Sequence, residues 1–131
     1  MTTLNAHFLY AQRDEEINVL MIGFADDEFD THEYILLQKS LNPSQEDIEA
    51  GFGKVHITYN DESQSLYGGI SKLHFTPNRT EITLNEDAAE ILKSSSVIVI
   101  NYLLEKEKFI EFHNDLLRMF PVQQGIYSYE L

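Results

Sequence analysis

Two apolar stretches, residues 17–24 and 34–38, flank a nine-residue segment, residues 25–33, that contains five carboxylates. Apolar side chains occupy consecutive positions in both stretches rather than alternate ones, which predicts strands that are covered on both faces. Five carboxylates this close together repel one another and cannot all be buried. The sequence therefore predicts two core strands joined by an acidic loop that lies in solvent.

The net charge indicates which classes of molecule the protein can bind. The 131 residues include 22 acidic and 9 basic side chains, which gives a net charge of −13, and residues 1–66 carry −10 of it. A strongly negative surface repels nucleic acid and anionic lipid and attracts basic proteins. We therefore expect neither nucleic acid nor a membrane as partner, although acidity that serves only solubility would give the same composition.

The order of predicted strands indicates the fold class. A chain of 131 residues fits one domain with a real core, so residues 1–131 are interpreted as a single domain. Besides the two apolar stretches, strands are predicted at residues 5–12, 55–59, 71–75, 80–84, 97–100 and 123–131. Turns are predicted at residues 60–63 and at Pro77-Asn78. The second turn joins two strands whose inward-facing residues are Leu73, Phe75, Ile82 and Leu84.

Two helices are predicted late in the chain. A short helix runs from Glu86 to Lys93, with Asn85 as its N-cap. A long helix runs from Glu105 to Phe120, and Pro121 ends it. Its apolar stripe consists of Phe109, Phe112, Leu116 and Met119. Residues 45–50 are expected to form only a single helical turn. Successive strands followed by one long helix predict an α+β fold with a mainly antiparallel sheet.

The cellular compartment is indicated by residues that the chain lacks. There is no cysteine, which excludes a disulfide framework and a thiolate metal site. Residues 1–7 carry no basic segment followed by a long apolar one, so no signal peptide is expected. These features suit the reducing cytoplasm, where we expect the protein to reside.

The acidic loop is the first candidate for chemistry. Asp26, Glu28 and Asp30 alternate as the ligands of a calcium loop do. The loop has neither the glycine at the turn position nor the glutamate at the twelfth position that such a site needs. We therefore expect no bound metal, and we interpret the loop as solvated or as facing a partner.

No other pattern indicates catalysis. The histidines are scattered and form no metalloprotease or nucleophile motif, and no pair of carboxylates stands out as a glycosidase-type dyad. The pair Gly68-Gly69 lacks the phosphate-binding glycine pattern and is interpreted as a bulge or a positive-φ turn entering a strand. We expect no enzyme activity and no cofactor, which leaves a binding surface.

Four fragments resemble a known family. Residues 19–26, 33–39, 45–48 and 66–70, in this order and spacing, resemble immunity protein 10 of bacterial polymorphic toxin systems. The more specific pieces are Gly23-Phe24-Ala25-Asp26 and Tyr67-Gly68-Gly69-Ile70. The resemblance covers about residues 17–120 and implies a cytoplasmic antitoxin that binds and blocks a toxin domain delivered by a neighbouring cell. No active-site residue is carried over with it.

An acidic inhibitor suits this role because toxins that attack nucleic acid are commonly basic. Phe29, inside the loop, is expected to fold back on its own sheet, with anchoring of a partner as the alternative. Two other interpretations of the protein remain open: it binds a metal or a small molecule, or it forms a homodimer through the apolar strands. The predicted partner-contact residues are Asp26, Asp27, Glu28, Phe29, Asp30, Glu33, Glu46, Asp47, Glu49, Asp61 and Glu62.

Overall fold

A computed structural model describes all residues, 1–131, and arranges them as two five-stranded sheets with three α-helices. The strands are β1 (Thr2–Asn5), β2 (Phe8–Asp14), β3 (Val19–Ala25), β4 (Tyr34–Ser40), β5 (His56–Tyr59), β6 (Asp61–Tyr67), β7 (Ile70–Thr76), β8 (Arg79–Leu84), β9 (Val97–Asn101) and β10 (Tyr127–Tyr129). The helices are α1 (Gln45–Glu49), α2 (Glu86–Leu92) and α3 (Lys106–Met119). None of these helices combines the length and the apolar character needed to cross a bilayer.

The meander sheet has the strand order β2-β3-β4-β5-β6, and each strand pairs antiparallel with the next. Consecutive antiparallel strands reverse direction at alternate ends of a sheet. The β3–β4 loop and the β5–β6 turn therefore lie at one end, which we call the acidic end (residues 26–33 and 60–62). The β2–β3 turn and the β4–β5 connection, which contains α1, lie at the opposite end. This alternation decides which candidate residues become neighbours.

The mixed sheet has the order β1-β9-β8-β7-β10. Its three central strands pair antiparallel, whereas the edge strands β1 and β10 pair parallel with β9 and β7. The chain passes from this sheet to the meander sheet at Ala6 and His7, whose N–H groups donate to Asn101 of β9 and Ala25 of β3. The two sheets are thus tied together within two residues.

The core lies between the inner faces of the two sheets. Ile22 and Ile57 from the meander sheet and Ile82 from the mixed sheet are completely buried. Helix α3 contacts both sheets: the Phe109 ring stacks on Phe75 of β7 at 4.7 Å between centroids. The Lys39 ammonium of β4 donates to the Met119 carbonyl at 2.9 Å. A single hydrophobic core therefore joins the two sheets and α3.

The α+β class and the antiparallel character of the strands are confirmed. The long helix begins one residue later and ends one residue earlier than predicted, and α2 ends at Leu92 with Lys93 as a left-handed C-cap. The Asn85 side chain caps α2 as expected, accepting from the Ala88 N–H at 2.8 Å. The predicted hairpin turn and its buried inward residues are also found. The expected helical turn near residue 45 is a third helix, α1.

Three strand predictions are wrong. The single strand expected at residues 5–12 is two strands in different sheets, because Ala6 turns into the core while Phe8 and Tyr10 lie on the outer face. A single sheet was expected, and there are two. The turn expected at residues 60–63 is shorter: Asn60 alone, at φ 64°, reverses the chain, and β6 starts at Asp61.

The expectation of strands covered on both faces holds for β9, whose Ile98, Val99 and Ile100 are all buried. It fails for β3 and β4, whose inner residues are buried while Met21 and Leu36 on the outer face remain half-buried. The apolar run in these two strands thus includes outer-face residues that are only half-buried.

Candidate partner-binding surface

The acidic loop at residues 26–33 is folded by two of its own carboxylates. Asp26 Oδ1 accepts from the N–H groups of His32 and Glu33 at 3.0 and 3.2 Å. Asp27 Oδ1 accepts from the N–H groups of Phe29 and Asp30 at 2.9 and 3.0 Å. These are the short-range turns that aspartate forms with following backbone groups. Asp26 and Asp27 therefore hold the loop in shape.

The pKa values of the two aspartates report this role. Desolvation would raise the pKa of Asp26, but hydrogen bonds from the Glu33 and His32 N–H groups outweigh it and lower the pKa. The N–H groups of Asp30 and Phe29 likewise lower the pKa of Asp27. Both carboxylates remain charged well into the acid range because the loop itself binds the charged form.

The remaining carboxylates of the loop, those of Glu28, Asp30 and Glu33, take no part in these backbone hydrogen bonds and are exposed. Asp30 Oδ2 lies 3.5 Å from His32 Nε2, in the open. Phe29 is 91% exposed, so the expectation that it folds back on its sheet is wrong. The loop therefore presents three carboxylates and one aromatic ring to solvent.

Asp61 and Glu62 join the loop at the acidic end. The Asn60 side chain accepts from the Tyr34 N–H at 2.8 Å, and the Asn60 N–H donates to the Tyr34 carbonyl at 3.0 Å, which ties the β5–β6 turn to the end of the loop. The pKa of Tyr34 is raised first by desolvation and then by the charges of Asp61 and Glu62. Residues 35 positions apart in sequence thus contribute to one negative region.

Glu46, Asp47 and Glu49 lie elsewhere. They belong to α1, whose Ser44 and Asp47 form a reciprocal capping box, and α1 lies at the opposite end of the meander sheet. The structure therefore groups eight of the predicted contact residues and separates these three from them. Sequence reasoning could not separate them because the strand pairing decides which end each connection occupies.

A cleft of about 250 Å³ adjoins the acidic loop on the outer face of the meander sheet. Tyr10 and Tyr34 flank it, Gly23 and Ala25 lie at its base, and Glu28 and Thr31 of the loop line it. Sequence reasoning missed the two tyrosines. The signal that could have found them is the small pair Gly23 and Ala25, alternating with large core residues in an otherwise bulky strand.

The glycine pair Gly68-Gly69, the other candidate for a binding site, is explained by the geometry of the backbone. Gly68 and Gly69 have φ values of +78° and +87°, and a Cβ on Gly69 would lie 2.6 Å from the Ala88 Cβ of α2, which confirms their interpretation as a positive-φ turn. A 260 Å³ pocket next to them contains Lys39 and Lys54. Lys39 is already committed to the Met119 carbonyl. No group of three or more histidines and carboxylates is arranged to hold a metal ion.

The histidines also have local partners. His74 Nδ1 lies 2.6 Å from Ser128 Oγ, and His113 Nδ1 lies 2.8 Å from Tyr127 Oη. His56 packs on Tyr67 with ring centroids 4.7 Å apart, and its Nδ1 is buried without a hydrogen bond. Each of the three side chains is thus held by neighbouring residues.

Comparison with known proteins supplies the family. A family model described as Immunity protein 10 matches residues 5–110, a range that contains the entire meander sheet and every predicted contact residue. No curated protein and no solved structure matches the chain. Because the match extends over most of the 131 residues, the chain belongs to the immunity protein 10 family.

Proposed function

We propose that this protein is an antitoxin that binds a basic toxin domain and blocks it without catalysis, in the cytoplasm of the cell that makes it. The observation that carries the proposal is membership of the immunity protein 10 family over residues 5–110. The exposed acids at one end of the meander sheet support it, because a localised negative region attracts a basic protein before contact.

The proposed interface is centred on the acidic end of the meander sheet. It contains Asp26, Asp27, Glu28, Phe29, Asp30, Glu33, Asp61 and Glu62. The exposed Phe29 ring supplies the apolar anchor that such interfaces concentrate their energy on. Glu46, Asp47 and Glu49 add long-range attraction from the opposite end, where they cannot touch a partner seated on the loop.

The direct test is co-purification of this protein with the toxin domain encoded by the neighbouring gene. Capture of that domain, together with loss of its toxicity in cells, is the expected result. If the adjacent gene encodes no secreted protein with a variable C-terminal domain, or if the domain does not bind, the proposal fails.

Charge reversal then locates the interface. Reversal of Asp26 and Asp27 would disrupt the loop as well as its charge, so Glu28→Lys, Asp30→Lys and Glu33→Lys are combined instead. We expect association with the toxin domain to slow by about 10- to 10³-fold at low salt, with a flatter salt dependence. Stopped-flow measurements at several salt concentrations provide the rate.

The matched control carries the same change of charge at the opposite end: Glu15→Lys, Glu16→Lys and Glu49→Lys. It should slow association less, because these side chains lie at the far end of the meander sheet. Equal slowing by both triple variants would mean that only net charge matters. Greater slowing by the control would move the interface to the α1 end.

A further inference from the structure

The cleft between Tyr10 and Tyr34 is built by strand register. Tyr10 of β2 pairs with Gly23 of β3, and Tyr34 of β4 pairs with Ala25, so the two tyrosines stand diagonally across β3. Strands two positions apart in a sheet are separated by roughly 10 Å. Gly23 leaves room for the Tyr10 ring, and the cleft lies between that ring, Ala25 and Tyr34.

Gly23 has a specific reason to be glycine. A Cβ at this position would lie 2.5 Å from Tyr10 Cζ and 2.8 Å from Tyr10 Oη. The Tyr10 ring therefore lies directly on the backbone of β3, where any larger residue would push it away. This close approach places the Tyr10 ring on one side of the cleft.

The charge around the cleft has one sign. Glu28 lines the cleft. Desolvation is the main cause that raises the pKa of the Tyr34 hydroxyl, and the nearby charges of Asp61 and Glu62 raise it further. Burial also raises the pKa of Tyr10. Both tyrosines stay neutral at physiological pH, and neither a lysine nor an arginine lines the cleft. A cation entering it meets carboxylates and no positive charge.

The dimensions of the cleft suit a single side chain. A volume of about 250 Å³ is below the about 300–1,000 Å³ of sites that enclose drug-sized ligands. A planar guanidinium stacks on aromatic rings and forms paired hydrogen bonds with a carboxylate, whereas an ammonium is a compact, strongly hydrated charge. The combination of tyrosine rings and a glutamate suits arginine better than lysine.

We propose that this cleft receives an arginine side chain from the toxin, stacked against Tyr34 and Tyr10 and paired with Glu28. The inference rests on the proposed function, since it assigns a specific anchor to the same acidic interface. It makes the outer face of the meander sheet, and not only the loop, part of the contact.

The first experiment needs no toxin. The full-length protein is titrated with N-acetyl-arginine methylamide, and with the citrulline analogue, which is nearly the same shape but uncharged, while backbone amide shifts are followed by NMR. We expect the arginine probe to shift Gly23, Ala25, Glu28 and Thr31 and the citrulline probe to bind at least several-fold more weakly. Equal binding of both probes, or shifts confined to other surfaces, overturns the proposal.

Variants identify the groups responsible. Tyr34→Ala should weaken the arginine probe by about 2- to 30-fold, the range for an aromatic–cation contact, while Tyr34→Phe keeps the ring and most of the affinity. Glu28→Gln should weaken arginine and leave citrulline unchanged. If Tyr34→Ala binds the probe as the unmodified protein does, the tyrosine ring is not a wall of the site and the proposal fails.

The second experiment uses the complex with the toxin domain. Tyr34→Ala and Glu28→Gln should raise the dissociation rate, and Thr83→Ala on the outer face of the mixed sheet should not. If the unmodified protein binds the toxin and both cleft variants bind it equally well, the cleft inference fails while the proposed function stands. If the unmodified protein binds no toxin, the proposed function fails, and the probe titration still decides whether the cleft binds arginine.

Discussion

The two sheets share one core but differ on their outer faces. The outer face of the mixed sheet is mostly polar, with Val99 as a buried exception. Arg79 and Glu81 pair at 3.1 Å, and His74 lies between Ser128 and Glu130. The outer face of the meander sheet carries Tyr10, Met21 and Leu36, which are half-buried. The outer face of the meander sheet is therefore the more apolar of the two, which agrees with the proposal that it contacts a partner.

The two sheets also differ in whether their buried polar atoms have hydrogen-bond partners. Next to the mixed sheet, the Tyr102 hydroxyl lies 2.7 Å from Thr80 Oγ1 and donates to the Thr76 carbonyl at 2.8 Å, so each buried oxygen has a partner. On the meander sheet, His56 Nδ1 is buried without one. Unpaired buried polar groups cost stability. The buried hydroxyls next to the mixed sheet are thus paired, whereas one buried ring nitrogen of the meander sheet is not.

The largest expected effect tests the paired network of the mixed sheet. Tyr102→Phe leaves the completely buried Thr80 hydroxyl without its partner and should cost about 1–3 kcal/mol of unfolding free energy. Thr80→Val in the Tyr102→Phe background should recover part of that loss, because no unpaired hydroxyl remains. Urea denaturation of the four proteins in the cycle provides the values. Additive losses would show that the two hydroxyls do not depend on each other.

A smaller effect is expected from the close approach in the meander sheet. Gly23→Ala forces the Tyr10 ring off β3 and should cost about 1 kcal/mol, at the low end of overpacking, because the half-exposed ring can swing into solvent. In a Tyr10→Ala background the same substitution should cost almost nothing. Thermal denaturation of the four proteins measures this coupling. An unchanged cost without the ring would mean that Tyr10 does not restrict Gly23.

The smallest effect concerns the unpaired histidine. Burial lowers the pKa of His56 below 6.5, so the unfolded chain binds a proton at a pH where the folded protein does not. The stability associated with neutral His56 is therefore complete above about pH 6.5 and is lost as the pH falls toward the lower folded pKa. His56→Phe should flatten the fall in urea midpoint between pH 7.5 and 5. His32→Phe, in the exposed loop, is the control, and an equal flattening there would contradict the assignment to His56.

The sequence correctly predicted the elements that depend on residues close together in the chain. The apolar spacing of α3 and the capping of α2 by Asn85 each depend on residues within a few positions, so they were accessible from sequence. The Pro77-Asn78 turn was accessible for the same reason. Residues 5–12 were misread because Ala6 is placed by a hydrogen bond to Asn101, nearly a hundred positions away. The outer face of β3 and β4 was predicted wrongly because an apolar run in a sequence does not reveal whether a second layer packs on it.

The sequence alone determined that residues 26–33 lie in solvent, since five neighbouring carboxylates cannot be desolvated together. It also determined the family, through fragments that the family model matches. Only the tertiary structure decided that Asp61 and Glu62 join the loop while the acids of α1 do not, because antiparallel strand pairing assigns each connection to one end of a sheet. The cleft exists for the same reason, since strand register places Tyr10 beside Gly23 and Tyr34 beside Ala25, on the same face of β3.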